Sequence, residues 1–253
     1  MDSPKVTGCI VTFNNMRTID KAVGSLLEKT KIPFKLYAVD NCSTDGTPQH
    51  ISENYPQVEV IYNSANTGFG AGHNKIIDLI DSEYHAIINP DIIIRDDVLA
   101  KMVEYMDSHP DIGMLSPCIR FPDGRYQVLG KRSPRIKYLI ASRMRGDKPG
   151  KVLSEYAMLD KDPETAFDIE NATGCFMLIR TSLFKEIGGF DERYFMYFED
   201  CDLSREVTKR SRLVYYPEAV VCHEWGRESK KNNKLRIIQI KSMISYFNKW
   251  GWK

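Results

Sequence analysis

A chain of 253 residues with 27% charged and 42% apolar side chains can build one large α/β domain, or two small ones, around a developed core. Its net charge of +1 gives no global field for nucleic acid, so no nucleic-acid partner is expected. No apolar run reaches membrane-spanning length and no signal peptide precedes Gly8-Cys9-Ile10-Val11; Cys9, Cys42, Cys118, Cys175, Cys201 and Cys222 form no Cys-x-x-Cys pair, which predicts reduced thiols in a cytoplasmic protein.

Residues 6–12 predict a strand ending at Phe13-Asn14-Asn15, and Ile19, Val23, Leu26 and Leu27 then carry helical spacing. Residues 34–39 predict a second strand, followed by the polar run Asp40-Asn41-Cys42-Ser43-Thr44-Asp45-Gly46-Thr47 leading into a helix. A third strand is predicted over 58–62. Asn66-Thr67-Gly68-Phe69-Gly70-Ala71-Gly72 follows, with a helix to about residue 80. The fourth strand, 84–88, is closed by Asn89-Pro90-Asp91. Such alternation predicts βαβ units in a mostly parallel, Rossmann-like sheet with helices on both faces. Ligands bind such sheets at the C-terminal ends of the strands. Thr12, Phe13, Asn14, Asp40, residues 68–74 and Asp91 are therefore expected to converge.

The pattern changes over 117–150, which is rich in Pro, Gly and cations; residues 131–145 hold basic residues and no acid. This reads either as a solvated surface loop or as a flap over an anionic ligand. Strand and helix signals return at 175–179 and 182–187. The run Tyr197-Phe198-Glu199-Asp200-Cys201-Asp202 then packs three carboxylates behind an aromatic pair. Ionised acids that close repel, so the run predicts raised pKa values and a role as a base or a partner for a cation. Residues 213–216 and 219–222 read as two short strands before His223. The final segment, 230–253, has Ile237, Ile240, Ile244 and Phe247 at helical spacing among lysines, with Trp250 and Trp252 at its end. It reads as a basic amphipathic helix that packs on the domain or lies on an anionic membrane.

Several positions carry chemistry. Asp40 at a strand end can accept from a pyrimidine N3–H or a ribose hydroxyl, or serve as a turn residue. The glycine run at 68–72 resembles a phosphate-cradling turn without matching a P-loop, and equally suits close helix–strand packing. His73 and Asn74 at the next helix could face a ligand. Asp91 beyond a buried strand can hold a hard divalent cation carrying phosphates. His223 is a ligand candidate, and Trp225 in the loop beyond it offers an apolar face for a sugar.

Val11-Thr12-Phe13-Asn14, Val39-Asp40-Asn41-Cys42-Ser43-Thr44-Asp45-Gly46, Asn66-Thr67-Gly68-Phe69-Gly70, Asn89-Pro90-Asp91, Tyr197-Phe198-Glu199-Asp200-Cys201-Asp202-Leu203 and His223 occur in this order. Together they resemble the family 2 glycosyltransferases of the GT-A fold, most closely the bacterial rhamnosyltransferase-like members, over residues 5–229. The resemblance implies a single domain over 1–229, with a nucleotide-binding half (1–116), an acceptor-binding half (117–229) and the basic helix 230–253 appended. It implies nucleotide contacts from Thr12, Phe13, Asn14, Asp40, Gly68, Asn74, Asn89 and Asp91. Asp91 and His223 would hold a divalent metal, Mn or Mg. Asp200 matches the catalytic base, and Thr173 and Gly174 match a segment near donor sugar and acceptor. Glu199 is expected to orient the acceptor, and Asp202 to cap a helix over 203–209. Asn89 departs from the family pattern by replacing an Asp, which removes a charge and points to dTDP-L-rhamnose rather than a UDP-hexose as donor.

The expected reaction is an inverting transfer to a glycan or lipid-linked glycan in bacterial cell-surface polysaccharide synthesis, at the inner face of the plasma membrane. A sugar-1-phosphate nucleotidyltransferase would carry a basic glycine-rich loop where Thr12-Phe13-Asn14-Asn15-Met16 stands. A nucleotide-sugar-binding subunit without turnover is the non-enzymatic alternative.

Overall fold

The computed structural model describes residues 3–143, 150–224 and 233–252. β1 (Val6–Thr12) is buried at every position, as befits a central strand covered on both faces. α1 (Ile19–Lys29) follows, with Ile19, Ala22, Val23 and Leu26 forming its buried stripe. β2 (Phe34–Asp40), α2 (Thr47–Asn54), β3 (Glu59–Tyr62), α3 (Phe69–Asn74) and β4 (Tyr84–Ile88) complete the first half. β5 (Ile92–Ile94), α4 (Val98–Ser108), β6 (Ile112–Arg120), α5 (Ile136–Arg143), α6 (Lys151–Tyr156), β7 (Phe167–Asp168), β8 (Phe176–Arg180), α7 (Thr181–Ile187), α8 (Glu199–Thr208), β9 (Arg212–His223) and α9 (Asn233–Trp250) follow.

The strands form one sheet in the order β3-β2-β1-β4-β8-β6-β9-β5, with β7 paired to β9. The β3-β2-β1-β4 half is parallel, as expected. The other half is mixed: β6 and β9 pair parallel, whereas β8 runs antiparallel to both β4 and β6, and β5 and β7 run antiparallel to β9. The sheet thus keeps its expected α/β, Rossmann-like parallel pairings, with antiparallel strands added at β8, β5 and β7. At Asn89-Pro90 the chain leaves β4 and passes into β5 without an intervening helix, and β5 pairs with β9 rather than with β4.

Strand parity divides the core. Val6, Ile10, Leu36, Ala38, Ala86 and Ile88 pack with α1, α2 and α4 on one face. Cys9, Val11, Tyr37, Val39 and Ile87 pack with α7 and α8 on the other. The two short strands expected at 213–216 and 219–222 are one strand, β9, whose register against β6 jumps between Pro117↔Tyr216 and Cys118↔Val220. Pro217-Glu218-Ala219 bulges at that jump, which is why the sequence reads as two pieces.

The basic stretch after β6 is neither a simple loop nor an open flap. A hairpin closed by Phe121 N–H to Arg125 O (2.8 Å) folds back on the sheet edge. Lys131 is buried, with its ammonium at the Tyr126 hydroxyl and over the Tyr215 ring. Arg132 and Lys137 pair with Glu170 and Glu155. Residues 144–149 lie outside the described residues.

α9 packs on the domain. Tyr246 and Phe247 are buried with Tyr194 and Phe198 in a third apolar cluster. Ser242 donates to Met196 O (2.8 Å), and Lys249 reaches Asp191 (3.1 Å), Asp202 (2.8 Å) and Glu206 (3.4 Å).

Candidate active site

The ends of β4, β8 and β9 meet at one edge. Asn89 N–H donates to Cys175 O (2.8 Å), which ties the Asn89-Pro90-Asp91 turn to the residues just before β8. β5 pairs with β9 so that Ile92 lies opposite His223, and Glu224 N–H donates to Asp91 O (3.3 Å). This register brings His223 Nε2 to 3.4 Å from Asp91 Oδ1, although 132 positions of sequence order separate them (223 − 91). Burial opposes charge on His223, but the Cys175 sulfur beside it and the Asp91 carboxylate outweigh burial and raise its imidazole to about 10. The pair thus holds a positive charge between a carboxylate and a ring nitrogen.

The donor set suits a hard divalent ion. Among the described residues no group of three or more His, Cys, Asp and Glu is poised to hold a metal. One carboxylate and one imidazole are nevertheless enough for Mg²⁺ or Mn²⁺ that arrives with a diphosphate and keeps waters. Asp91 and His223 are the residues that would hold it.

The acidic run sits at the start of α8. Tyr197 and Phe198 both adopt left-handed backbone, with φ of 69° and 68°, immediately before Glu199. Consecutive non-glycine residues in that region are strained, and such strain gathers where the chain must aim particular side chains. Phe198 is repaid by burial against Tyr246. Asp200 accepts from Gly174 N–H (3.0 Å) and from its neighbour Cys201 N–H (2.8 Å). Burial raises its pKa, and these N–H groups offset part of the rise. Gly174 is thereby the link between Asp200 and the Asn89–Cys175 turn.

The three carboxylates do not share a role, and two expectations change. Glu199 is buried, its Oε2 without a hydrogen-bond partner, and burial followed by the Asp200 charge raises its pKa well above normal. It faces the interior, where burial favours its protonated form, rather than an open cleft where it could orient an acceptor. Asp202 does not cap a helix over 203–209, because α8 already begins at Glu199. Its buried carboxylate accepts from Tyr194 Oη (3.1 Å), Lys249 Nζ (2.8 Å) and Trp250 Nε1 (2.7 Å), so it anchors α9.

On the parallel side, Thr12 and Asp40 lie together at the ends of β1 and β2. Thr12 Oγ1 donates to Asp40 Oδ1 (2.8 Å), and Ser43 donates to the same carboxylate from its N–H (2.8 Å) and hydroxyl (2.5 Å). Phe13 is exposed beside them, and Asn14, with φ of 56°, accepts from Thr44 N–H (2.8 Å). Gly68 has φ of 90°, and a Cβ on it would lie 2.0 Å from Phe195 O. Its N–H donates to Asn66 Oδ1 (3.0 Å) and its carbonyl accepts from Asn41 (2.9 Å), so its own polar groups serve the turn and not a phosphate. Gly72 presses on Val11, whose methyl would lie 2.7 Å from an added Cβ. The packing alternative for this glycine run is the one observed. His73 is fully buried between the Phe69 and Phe190 rings rather than facing a ligand. Asn74 is turned to the segment after α7, donating to Phe190 O (2.8 Å) and accepting from Phe190 N–H (2.8 Å). Trp225 lies outside the described residues.

Two residues at this edge escaped the sequence reading. Cys175 lies beside His223, and nothing in its apolar surroundings marks it. Gln127, buried to 1% exposure, bonds the same histidine. A glutamine closing a hairpin has no distinctive local signal. Only the observation that a buried amide needs partners could have flagged it.

Comparison with known proteins supplies the rest. A family model described as glycosyl transferase family 2 matches residues 8–188. An N-acetylglucosaminyl-diphospho-decaprenol L-rhamnosyltransferase of Mycobacterium tuberculosis is 29% identical over 229 residues, covering 84% of this chain and 74% of that protein. The rhamnosyltransferase WbbL of Escherichia coli is 30% identical over 169 residues, covering 61% of each. Among solved structures, the mannosyltransferase PcManGT of Pyrobaculum calidifontis, in complex with GDP-Man and Mn²⁺, superposes with a TM-score of 0.67 at 18% identity, over 98% of this chain and 64% of that one. TarS of S. aureus in complex with UDP-GlcNAc gives 0.63 at 17% identity, over 94% of this chain and 66% of that one. These structural likenesses fix a GT-A-type α/β fold; the chain spans about two thirds of the length of those structures.

Proposed function

We propose, from the premise that this chain belongs to glycosyl transferase family 2 and is a glycosyltransferase, that it moves L-rhamnose from dTDP-L-rhamnose to a hydroxyl of a glycan or lipid-linked glycan acceptor with inversion. The observation that carries the reading is the single edge where Asp200, fixed by Gly174 N–H, and the Asp91–His223 pair are joined through Cys175 and Asn89. The rhamnosyltransferase relatives support the sugar.

Asp200, half-buried and raised in pKa, takes the proton from the acceptor hydroxyl as that oxygen bonds the anomeric carbon. The bond from the anomeric carbon to the diphosphate oxygen breaks, and the nucleoside diphosphate departs. A divalent cation at Asp91 and His223, when bound, neutralises charge on that leaving group. Thr12, Asn14 and Asp40 surround the nucleoside, with the exposed Phe13 ring against the base. Thr173 and Gly174 line the sugar side.

We place the work of the enzyme at an anionic membrane face, consistent with a lipid-linked acceptor. Among the described residues no helix is long and apolar enough to cross a membrane. α9 instead leaves Ile237, Ile240 and Ile244 exposed beside exposed Lys234, Arg236 and Lys241.

The reading is tested by calorimetry with dTDP-L-rhamnose, UDP-glucose, UDP-galactose, UDP-N-acetylglucosamine and GDP-mannose, each with Mn²⁺, Mg²⁺ or chelator. The expected order places dTDP-L-rhamnose first and weakens it with chelator. Tighter binding of a UDP-sugar would overturn the donor.

A further inference from the structure

Gln127 follows the hairpin beyond β6, and its N–H donates to Ile119 O (2.9 Å). That hairpin lays its side chain against the end of β9, where Arg120 and Cys222 are paired. Its amide nitrogen donates to His223 O at 2.7 Å and reaches Arg120 O at 3.4 Å. Both partners are backbone carbonyls, which only accept, so the NH₂ end of the amide must face them. The carbonyl end is left facing His223 Nδ1 at 3.3 Å. An amide oxygen cannot donate, so Nδ1 must carry a hydrogen. His223 Nε2 is then the atom turned to Asp91 Oδ1, 3.4 Å away. A neutral Nε2 and a carboxylate oxygen are both acceptors, and they sit together only with a proton or a cation between them.

We propose that Gln127 is a positioning residue: it holds His223 in the Nδ1–H form and so presents Nε2, with Asp91, to a divalent cation carried by the donor diphosphate. This rests on the reading of Asp91 and His223 given above. Outer partners of a metal-binding histidine fix its ring and tautomer, and their loss weakens metal binding about 10–100-fold. A buried amide gripped by two backbone carbonyls can supply that grip without carrying charge of its own.

The test compares wild type with Gln127→Met, close in size and unable to accept from Nδ1. Mn²⁺ affinity is titrated by electron paramagnetic resonance with dTDP present, and dTDP affinity is measured separately in chelator. The expected result is a loss of Mn²⁺ affinity of about 10–100-fold, with dTDP binding in chelator unchanged within about twofold. A second measurement needs no variant: ¹⁵N-histidine spectra of the wild-type protein with Mg²⁺ and dTDP should show His223 protonated at Nδ1 and not at Nε2. Equal Mn²⁺ affinity in Gln127→Met overturns the assignment of Gln127 alone; a His223 protonated at Nε2 in the Mg²⁺ complex removes His223 as a ligand and overturns the inference together with that half of the metal site. Absence of Mn²⁺ binding to the wild-type protein with dTDP overturns the Asp91–His223 reading and this inference with it.

Discussion

Glu199 and Asp200 are sequence neighbours with the same functional group, and their surroundings divide them. Asp200 keeps partial exposure and two N–H donors that support its ionised form. Glu199 has a buried, unpartnered oxygen, and its surroundings favour the protonated form. Asp200→Asn should therefore lower turnover by about 10²–10⁴-fold while leaving donor affinity intact. Glu199→Gln replaces a neutral acid by a neutral amide and should keep turnover within several-fold. The pH profile follows from the sign of the shift. A base must be ionised to act, and burial raises the Asp200 pKa, so activity falls on acidification with a midpoint above the ordinary carboxylate value of 3.8. A normal rate in Asp200→Asn, or a wild-type acid limb centred below 3.8, would sink the base assignment. The acidic cluster was legible in the sequence because dense acids behind aromatics are costly. Its division of labour was not, because α8 turns each carboxylate in a different direction and only packing reveals which meets solvent.

At the scale of the element, α9 shows the same limit. Its apolar spacing was readable, and both its docking and a membrane face were open. Docking is what Tyr246, Phe247 and the Asp202 anchor produce. The anchor was unreadable because Lys249 and Trp250 find Asp202 across 47 and 48 positions. The opposite side of the helix is a row of isoleucines flanked by cations, and Asn233–Trp250 contains no acid. An apolar stripe of that kind, rimmed by lysine and arginine, suits an anionic bilayer surface. Each cation near such a surface contributes about 1 kcal/mol. Lys241→Glu removes one and adds a repulsive charge, and should weaken binding to phosphatidylglycerol vesicles by about 10–30-fold. Ile240→Ser should weaken it too, with melting temperature unchanged because Ile240 is exposed. Binding should fall as salt rises. Wild-type protein that stays in the supernatant with anionic vesicles at low salt would remove the membrane face from the account.

For the whole molecule, the parallel half was legible because each βαβ unit announces itself by local periodicity. The second half was not, because β8 inserts antiparallel between β4 and β6, neither adjacent to it in sequence, and such pairing leaves no local signature. The two-faced core has a cost that the sequence also concealed. His73 and His85 are both fully buried on the α7–α8 face; among the described residues neither ring nitrogen of His73 has a hydrogen-bond partner, and His85 has only the Thr7 backbone beside its ring nitrogens. Burial depresses both, His73 far below its ordinary value and His85 to about 3. In the unfolded chain each takes a proton near pH 6.5. The unfolded state therefore binds more protons between about 3 and 6.5, so the stability tied to a neutral histidine is complete above 6.5 and is lost as pH falls through that window. Glu199 and Asp200, with raised pKa values, act in the opposite sense, so the histidine contribution must be read as a difference. His85 stacks on Phe184 at 5.3 Å, and His85→Phe keeps an aromatic ring there. Overpacking by the larger ring gives an offset that does not depend on pH. The titrating part does: relative to wild type, His85→Phe should gain up to about 1.4 kcal/mol per pH unit as pH falls below 6. Urea unfolding at half-unit steps from pH 7.5 to 4.5 measures it. Parallel stability curves for the two proteins would mean that His85 binds its proton equally well folded and unfolded, and the buried neutral imidazole would have to be abandoned.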